Sequence, residues 1–396
     1  MMSDARVIGV EHIEDARRRG RKVFEILPGD IVTSLAEETA SRLGLELVYG
    51  PIEKEAVVKT DGKTSMRRNL YRRSPKWIAP DKSITQKAKR FSKITIVGAG
   101  GVGSNIAHLA ANLDLADEIA IADIVPGLAA ATALDLNHAS GITRSHSQVY
   151  GAENLEIIND SDVVIVTAGR ARTPGMSRND LIETNKRVIQ GTAEVIKTQS
   201  PEAIVIVVTN PLDEMTMEML TSTEFPRNRV IGMAGTLDSS RFRLSLAKAA
   251  GVQVSDVEAI TLGSHGDEMA PIVSHAKIKG RSLTRYLSDE QINNCSNDAI
   301  TGGGQVVALK KLGSATIAPA HATIEILDHI RGAKSGTVPV SVMLDGEFGL
   351  TNVVLGVPVH LGFNGMISVE EIALSENEKI ALSAAADAIQ KRLGLT

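Results

Sequence analysis

The fold is decided by the stretch KITIVGAGGVGSNIAHLAANL, residues 93–113. The apolar run ITIV leads directly into Gly98, Gly100 and Gly103, and a helical pattern follows at once. A strand, a G-x-G-x-x-G turn and a helix in this order predict the first unit of a dinucleotide-binding sheet. The first glycine allows the tight turn, the second lets the backbone approach a pyrophosphate, and the third brings the helix close to the strand. The N-terminus of the helix would then face the phosphates.

Asp123 adds a second feature to this motif. It follows Gly103 by 20 residues, at the end of the predicted strand EIAIAD. A carboxylate there can accept hydrogen bonds from both ribose hydroxyls, whereas it would repel the 2′-phosphate of NADP. Because no arginine follows Asp123 immediately, the sequence predicts NAD as the cofactor. The alternatives are a purely structural turn, or an anion-binding or flavin-binding site.

The rest of the chain from residue 92 onward has an α/β pattern. β-Branched runs at 162–166 and 203–208 alternate with helical stretches, as in a parallel sheet that is buried on both faces. After about residue 236, long helical patterns surround β-rich stretches at 337–345 and 353–361. We therefore predict an α/β fold, with a Rossmann-type doubly wound parallel sheet at 92–235 and an α+β catalytic domain at 236–396.

A small βα extension is predicted at the N-terminus, as an accessory segment over residues 1–50. Strands are expected at Val23–Leu27 and Leu45–Tyr49, with a helix from Ile31 to Leu43, and we find no repeat in the sequence. Residues 51–91 are predicted to be a basic linker, because residues 53–90 hold twelve Lys or Arg against four Asp or Glu. The extension weakly resembles N-terminal segments of some bacterial microcompartment proteins. It is interpreted either as a docking segment or as a surface subdomain or subunit-contact arm.

Composition limits the classes of function. Of the 396 residues, 43% are hydrophobic and 23% are charged, close to the averages of globular proteins. The formal net charge of −4 favours neither nucleic acid nor a membrane surface as partner. The single cysteine, Cys295, cannot form an internal disulfide, and no apolar run approaches the length of a spanning helix. We therefore expect a cytoplasmic protein, with recruitment to a microcompartment as an open alternative.

Five segments in order resemble the signatures of the lactate and malate dehydrogenase family: GAGGVG (98–103), VTAGRARTPGMSRNDL (166–181), VTNP (208–211), LDSSRFR (237–243) and GSHGDEMAP (263–271). The resemblance covers roughly residues 92–396. It implies transfer of a hydride between NAD and C2 of a small 2-hydroxy acid, with malate or oxaloacetate as the favoured dicarboxylate substrate. It also implies a homo-oligomer, a dimer or a tetramer, and no metal.

The resemblance assigns roles to several residues. His265 would be the acid/base that exchanges the hydroxyl proton, and Asp238 the carboxylate that orients and charges it. Imidazole suits this role because its pKa lies near the working pH. Asn210 would bond the substrate oxygen or help to place the nicotinamide, while Asn185 and Thr209 would contact the cofactor. Outside a signature, a loop histidine would more often be structural.

Three arginines match the three oxygen-rich ends of the substrate. By resemblance, Arg241 would grip the C1 carboxylate and Arg178 would polarise the C2 oxygen. Arg172 would bind the C4 carboxylate of malate, with Arg170 as a rival for that position. The alternative for each is a surface salt bridge. Residues 170–180 are expected to close as a lid over the substrate.

Two further features bear on the substrate. Glu268 stands where family members often have a small polar residue, and an inward carboxylate would disfavour a dianion. In contrast, GSATIAPAHA (313–322) resembles the malate-type members. The rival functions are a dehydrogenase for lactate or a bulkier 2-hydroxy acid, an inactive NAD-binding scaffold recruited through residues 1–91, and a metal-dependent glycosidase on the related NAD fold.

Overall fold

The computed structural model describes residues 6–27, 30–49, 88–170, 178–266, 268–311 and 313–395. The chain divides into two compact units, Met1–Ile84 and Thr85–Thr396. Residues 51–87 of the predicted basic linker lie outside the described residues.

The described residues of the first unit, 6–27 and 30–49, form two β-α-β segments in succession. Its elements are β1 (Val7–Ile8), α1 (Val10–Arg18), β2 (Val23–Ile26), β3 (Ile31–Val32), α2 (Ser34–Leu43) and β4 (Glu46–Tyr49). Strands β1 and β3 pair in parallel, as do β2 and β4. The fold therefore repeats although the sequence shows no repeat. The helix predicted to begin at Ile31 begins at Ser34 instead, because Ile31 and Val32 pair with β1 and the Thr33 hydroxyl caps the helix by accepting from the Ala36 N–H.

The second unit begins with six parallel strands. They are β5 (Phe91–Val97), β6 (Ala116–Ala122), β7 (Gln148–Ala152), β8 (Val163–Val166), β9 (Ile204–Val207) and β10 (Val230–Gly232). Their order in the sheet is β7-β6-β5-β8-β9-β10, which is the order of a Rossmann sheet. The expected doubly wound sheet is confirmed. The order reverses beside β5, where such sheets bind their ligands.

Helices cover this sheet and continue beyond it. They are α3 (Gly101–Asn112), α4 (Leu128–Thr143), α5 (Arg178–Gln199), α6 (Leu212–Thr223), α7 (Gly235–Ala250), α8 (Asp289–Lys310), α9 (Ile317–Ile330) and α10 (Glu376–Leu393). Side chains of β5, β8 and β9 are buried on both faces of the sheet, within two apolar clusters. This two-sided burial explains why the strands are continuous β-branched runs. Among the described helices, none combines the length and the apolar content that a bilayer crossing would need.

The later strands are β11 (Val257–Glu258), β12 (Thr261–Gly263), β13 (Met269–Pro271), β14 (Lys277–Ile278), β15 (Arg281–Ser282), β16 (Thr337–Asp345), β17 (Thr351–Gly362) and β18 (Gly365–Val369). Strands β11, β14 and β15 form a separate antiparallel sheet, and the others extend the large sheet. Strand β16 pairs antiparallel with β10 and with β17, and β17 pairs with β12 and β18. One sheet therefore runs from the glycine turn to the loop between β12 and β13, which carries His265.

Candidate active site

The turn between β5 and α3 needs its glycines for space. Gly98 has a φ of +106°, and a Cβ there would lie 2.6 Å from the Thr167 hydroxyl oxygen. A Cβ at Gly103 would overlap the carbonyl oxygen of Gly98. In contrast, a Cβ at Gly100, the N-cap of α3, would meet open space. The turn is therefore tight on its inner side and open at the helix N-terminus, which is the arrangement that a bound pyrophosphate requires.

Asp123 lies next to this turn. It follows β6, and its Oδ2 accepts a 2.6 Å hydrogen bond from the N–H of Ala99, while its Oδ1 accepts from the N–H of Val125 at 2.9 Å. The carboxylate is thus fixed beside the glycines, as a group that binds the adenosine ribose should be. The turn, the helix N-terminus and this carboxylate together fit NAD.

A cavity of about 260 Å³ joins the cofactor side to the histidine loop. Val102, in the first turn of α3, lines it together with Asn210, Arg241 and His265. Its other lining residues include Gly303 and Gly304 of α8 and Ser314, Ala315 and Pro319 of the 313–322 segment. The structure therefore brings three of the predicted substrate-site residues to one cavity beside the glycine turn.

His265 and Asp238 form a hydrogen-bonded pair at this cavity, in which Asp238 is buried and the His265 side chain is partly exposed. The His265 Nδ1 lies 2.8 Å from Asp238 Oδ2, and Asp238 is 2% exposed. Because Nδ1 is engaged with the carboxylate, Nε2 is the ring nitrogen left to exchange a proton with a substrate. Burial lowers the pKa of His265, but the Asp238 carboxylate opposes this effect, and the net pKa is raised above its usual 6.5. The pair can therefore hold a proton near neutral pH.

Arg241 bonds the other oxygen of the same carboxylate. Its Nη1 donates to Asp238 Oδ1 at 2.9 Å, and both residues lie on α7, three positions apart. Gly302 and Gly303 of α8 leave room for the guanidinium, since a Cβ at Gly302 would lie 3.1 Å from Arg241 Cδ. Asp238 thus uses one N–H group of the Arg241 guanidinium, and the remaining N–H groups can bind a carboxylate in the cavity.

Asp213 forms a hydrogen bond with the loop between β12 and β13, which carries His265. Its Oδ2 accepts from the backbone N–H of His265 at 2.8 Å, and its Oδ1 accepts from the Ser341 hydroxyl of β16 at 2.7 Å. The residue is fully buried. Burial and then the neighbouring Glu214 charge raise the pKa of Asp213 to about 6. The sequence analysis missed Asp213 and Ser341; the available signal was the acid pair Asp213 and Glu214, one residue after the VTNP segment.

The side chains of Asn185 and Thr209 form hydrogen bonds with main-chain groups. The Asn185 amide donates to the carbonyls of Asn210, at 2.6 Å, and Arg170, at 3.2 Å, and its Oδ1 accepts from the Arg170 N–H. The Thr209 hydroxyl donates to the Ala168 carbonyl at 2.7 Å. Both side chains thus fix the loops that follow β8 and β9. Contact of either with the cofactor stays a prediction.

For two of the predicted arginines, Arg172 and Arg178, the structure describes no side chain. Arg172 and most of the predicted lid, residues 171–177, lie outside the described residues, and Arg178 is described only as the first residue of α5. Their roles stay predictions.

Glu268 forms an ion pair with the C-terminal helix, and its effect on substrate preference stays a prediction. Its Oε1 accepts a 2.8 Å hydrogen bond from Arg392 Nη1, at the end of α10. Arg392 also pairs with Glu214, so one guanidinium is shared between these two carboxylates. Within the described part of the chain, His, Cys, Asp and Glu side chains form no group of three that could hold a metal ion.

Comparison with known proteins finds family matches within the second unit of the chain. Residues 92–232 match the family described as lactate/malate dehydrogenase, NAD binding domain, and residues 235–395 match the lactate/malate dehydrogenase, alpha/beta C-terminal domain. Neither match includes residues 1–91. A malate dehydrogenase from Trichormus variabilis is 44% identical over 304 residues, which are 77% of this chain and 94% of that protein.

Solved structures show the same relationship. The crystal structure of Cryptosporidium parvum malate dehydrogenase is 39% identical with a TM-score of 0.74, over 77% of this chain and 98% of that one. A lactate dehydrogenase from the same organism, complexed with lactic acid and NAD, is 33% identical with a TM-score of 0.74, over 78% of this chain and 98% of that one. The chain therefore belongs to the lactate/malate dehydrogenase family and is an NAD-dependent dehydrogenase.

Proposed function

We propose that this chain catalyses the reversible oxidation of malate to oxaloacetate with NAD. The observation that carries the proposal is the cavity in which the His265–Asp238 pair and Arg241 lie beside a glycine turn built for a dinucleotide. Malate as the substrate is supported by relatives that are named malate dehydrogenases at 38% to 44% identity.

The residues divide the chemistry among them. His265 Nε2 takes the proton of the C2 hydroxyl, and the Asp238 carboxylate stabilises the imidazolium that forms. The glycine turn and Asp123 would hold NAD, which would supply the acceptor for the hydride that leaves C2. Arg241 holds the C1 carboxylate, so the reacting carbon keeps a fixed position relative to His265. Asn210 bonds the C2 oxygen or helps to place the nicotinamide.

The remaining roles belong to the predicted lid. We propose that Arg178 stabilises the negative charge that develops on the C2 oxygen, and that Arg172 pairs with the C4 carboxylate. A lactate methyl group would leave Arg172 without an anion. The small lining residues Ser314 and Ala315 support this proposal, because short side chains occupy little of the cavity.

The proposal is tested by measuring initial rates of NADH oxidation side by side with oxaloacetate, pyruvate and longer 2-oxo acids. We expect oxaloacetate to give the highest kcat/KM, and Arg172→Gln to lose most of this preference. Highest activity with pyruvate would favour the rival function, a lactate dehydrogenase. The similarity to a lactate dehydrogenase structure supports that rival. NADH binding without turnover of any acid would favour the inactive scaffold.

A docking role for the N-terminal unit is a separate proposal. Its support is that residues 1–84 form a compact unit of their own, outside the matched family region. Homo-oligomer formation and recruitment to a bacterial microcompartment also stay proposals. Size-exclusion chromatography with light scattering, on the full chain and on residues 85–396, tests whether the N-terminal unit takes part in assembly.

A further inference from the structure

Two consecutive acids at the start of α6 hold the two ends of the histidine loop. Asp213 accepts from the backbone N–H of His265, as described above. Glu214 is 1% exposed and bonds Arg392, which in turn bonds Glu268, three residues after His265. The loop is therefore tied to one turn of one helix at both residue 265 and residue 268.

Arg392 is the centre of the second tie. Its Nε donates to Glu214 Oε1 at 2.7 Å, and its Nη1 donates to Glu268 Oε1 at 2.8 Å. The Arg392 side chain is 16% exposed, whereas that of Glu268 is 31% exposed. Only a planar guanidinium can present two separate N–H groups to two carboxylates in fixed directions. The geometry is thus that of a bridge rather than of a simple surface ion pair.

We propose that Arg392, bridging Glu214 and Glu268, is a positioning residue that holds the His265 loop in its productive place. The inference rests on the proposed role of His265 as acid/base. The bridge joins three elements that are distant in sequence: the start of α6, the loop after β12 and the last turn of α10. It ties the C-terminal helix to the catalytic loop without contacting the cavity.

The expected effect is on turnover. A loop released at residue 268 lets the imidazole leave its alignment with Asp238 and with the substrate, and displacements of about 1 Å can cost about 100-fold in rate. Substrate binding through Arg241 does not use the bridge. A positioning role therefore predicts a fall in kcat at nearly constant KM.

Two substitutions of Glu268 separate positioning from electrostatics. Glu268→Ala and Glu268→Gln both remove the charge, but glutamine keeps an oxygen that can accept from Arg392. We expect Glu268→Ala to lower kcat for oxaloacetate reduction by about 10- to 100-fold, and Glu268→Gln by no more than about 3-fold. The KM and the NADH dissociation constant should stay within about 2-fold in both. Both variants keep the buried Glu214–Arg392 pair, so both should fold.

Arg392→Lys provides a second measurement. Lysine keeps the positive charge but cannot donate in the fixed fork geometry, so we expect a loss of kcat similar to that of Glu268→Ala. Combining the two should add little further loss, because both break the same bridge. The matched control is Glu376→Ala, which removes an exposed carboxylate at the other end of α10; we expect it to leave kcat unchanged.

The outcomes are distinct. Equal kcat losses in Glu268→Ala and Glu268→Gln would show an effect of charge alone and overturn the proposal, as would wild-type kcat in Glu268→Ala. A wild-type chain without turnover on any 2-oxo acid would refute the proposed function, and the positioning role with it. Active wild type with an unaffected Glu268→Ala variant would refute the positioning role only.

Discussion

Asp238→Asn removes the negative charge from the His265 pair while it keeps the shape of the side chain. The charges of the imidazolium and the carboxylate are centred about 4 Å apart, which at an effective dielectric constant of about 20 corresponds to about 4 kcal/mol. Arg241 donates to the same carboxylate and therefore weakens its interaction with the imidazolium. We take about 2 kcal/mol as the lower bound of that interaction energy. At 1.36 kcal/mol for each factor of ten, kcat/KM for oxaloacetate reduction should fall about 30- to 1,000-fold at pH 7.

The pH profile gives the sharper measurement. Reduction requires protonated His265, so kcat/KM should decline as pH rises through its pKa, which Asp238 raises in the wild type. In Asp238→Asn this decline should begin at a lower pH. The assay is the loss of NADH absorbance in initial rates from about pH 5 to about pH 9, with exposed Asp117→Asn as the control. An Asp238→Asn profile that declines at the wild-type pH would refute the reasoning.

Three further perturbations test other parts of the structure. Asp123→Asn should weaken NADH binding about 10-fold, because it removes an ionised acceptor, and should raise the use of NADPH; fluorescence titration with both cofactors checks this, and unchanged selectivity would count against it. Asp213 has a pKa raised from 3.8 to about 6, so its contribution to stability is complete below about pH 3.8 and is lost as pH rises through about 6. Relative to Asp213→Asn, the wild type should therefore lose about 3 kcal/mol of unfolding free energy between about pH 4 and pH 7, measured in denaturant; a constant difference would contradict the burial argument. Residues 85–396 alone should fold and keep the wild-type kcat/KM, since they form a compact unit of their own; a large loss of activity on removal of residues 1–84 would show that the N-terminal unit supports the site.

The sequence predicted the elements that depend on local pattern. The runs at 162–166 and 203–208 are strands because both of their faces are buried, and the glycine motif marks the turn after β5 without ambiguity. In the N-terminal unit, α1 escaped notice because its acids and arginines mask the apolar face that Ile13 and Ala16 bury. The true start of α2 depends on pairing with β1, which no local signal shows.

Contacts between distant residues could not be predicted from one sequence. Ser341 and Asp213 are 128 positions apart, and Arg392 and Glu268 are 124 apart. Nothing in either segment specifies its partner, because each pairing results from the way the sheet brings α6, β16 and α10 together. The roles of His265 and Arg241 were accessible only because each lies within a signature segment that resembles the family.

The hydrogen-bonded pairing of β10 with β16 limits how this enzyme can move. The two family matches divide the second unit into two halves, residues 92–232 and 235–395. Gly232 and Ser341 are register partners, so the two halves share one sheet. Rotation of one half about a hinge would therefore disrupt that pairing. For the same reason, the two halves should melt in a single transition, and neither should be exchangeable as an independent module.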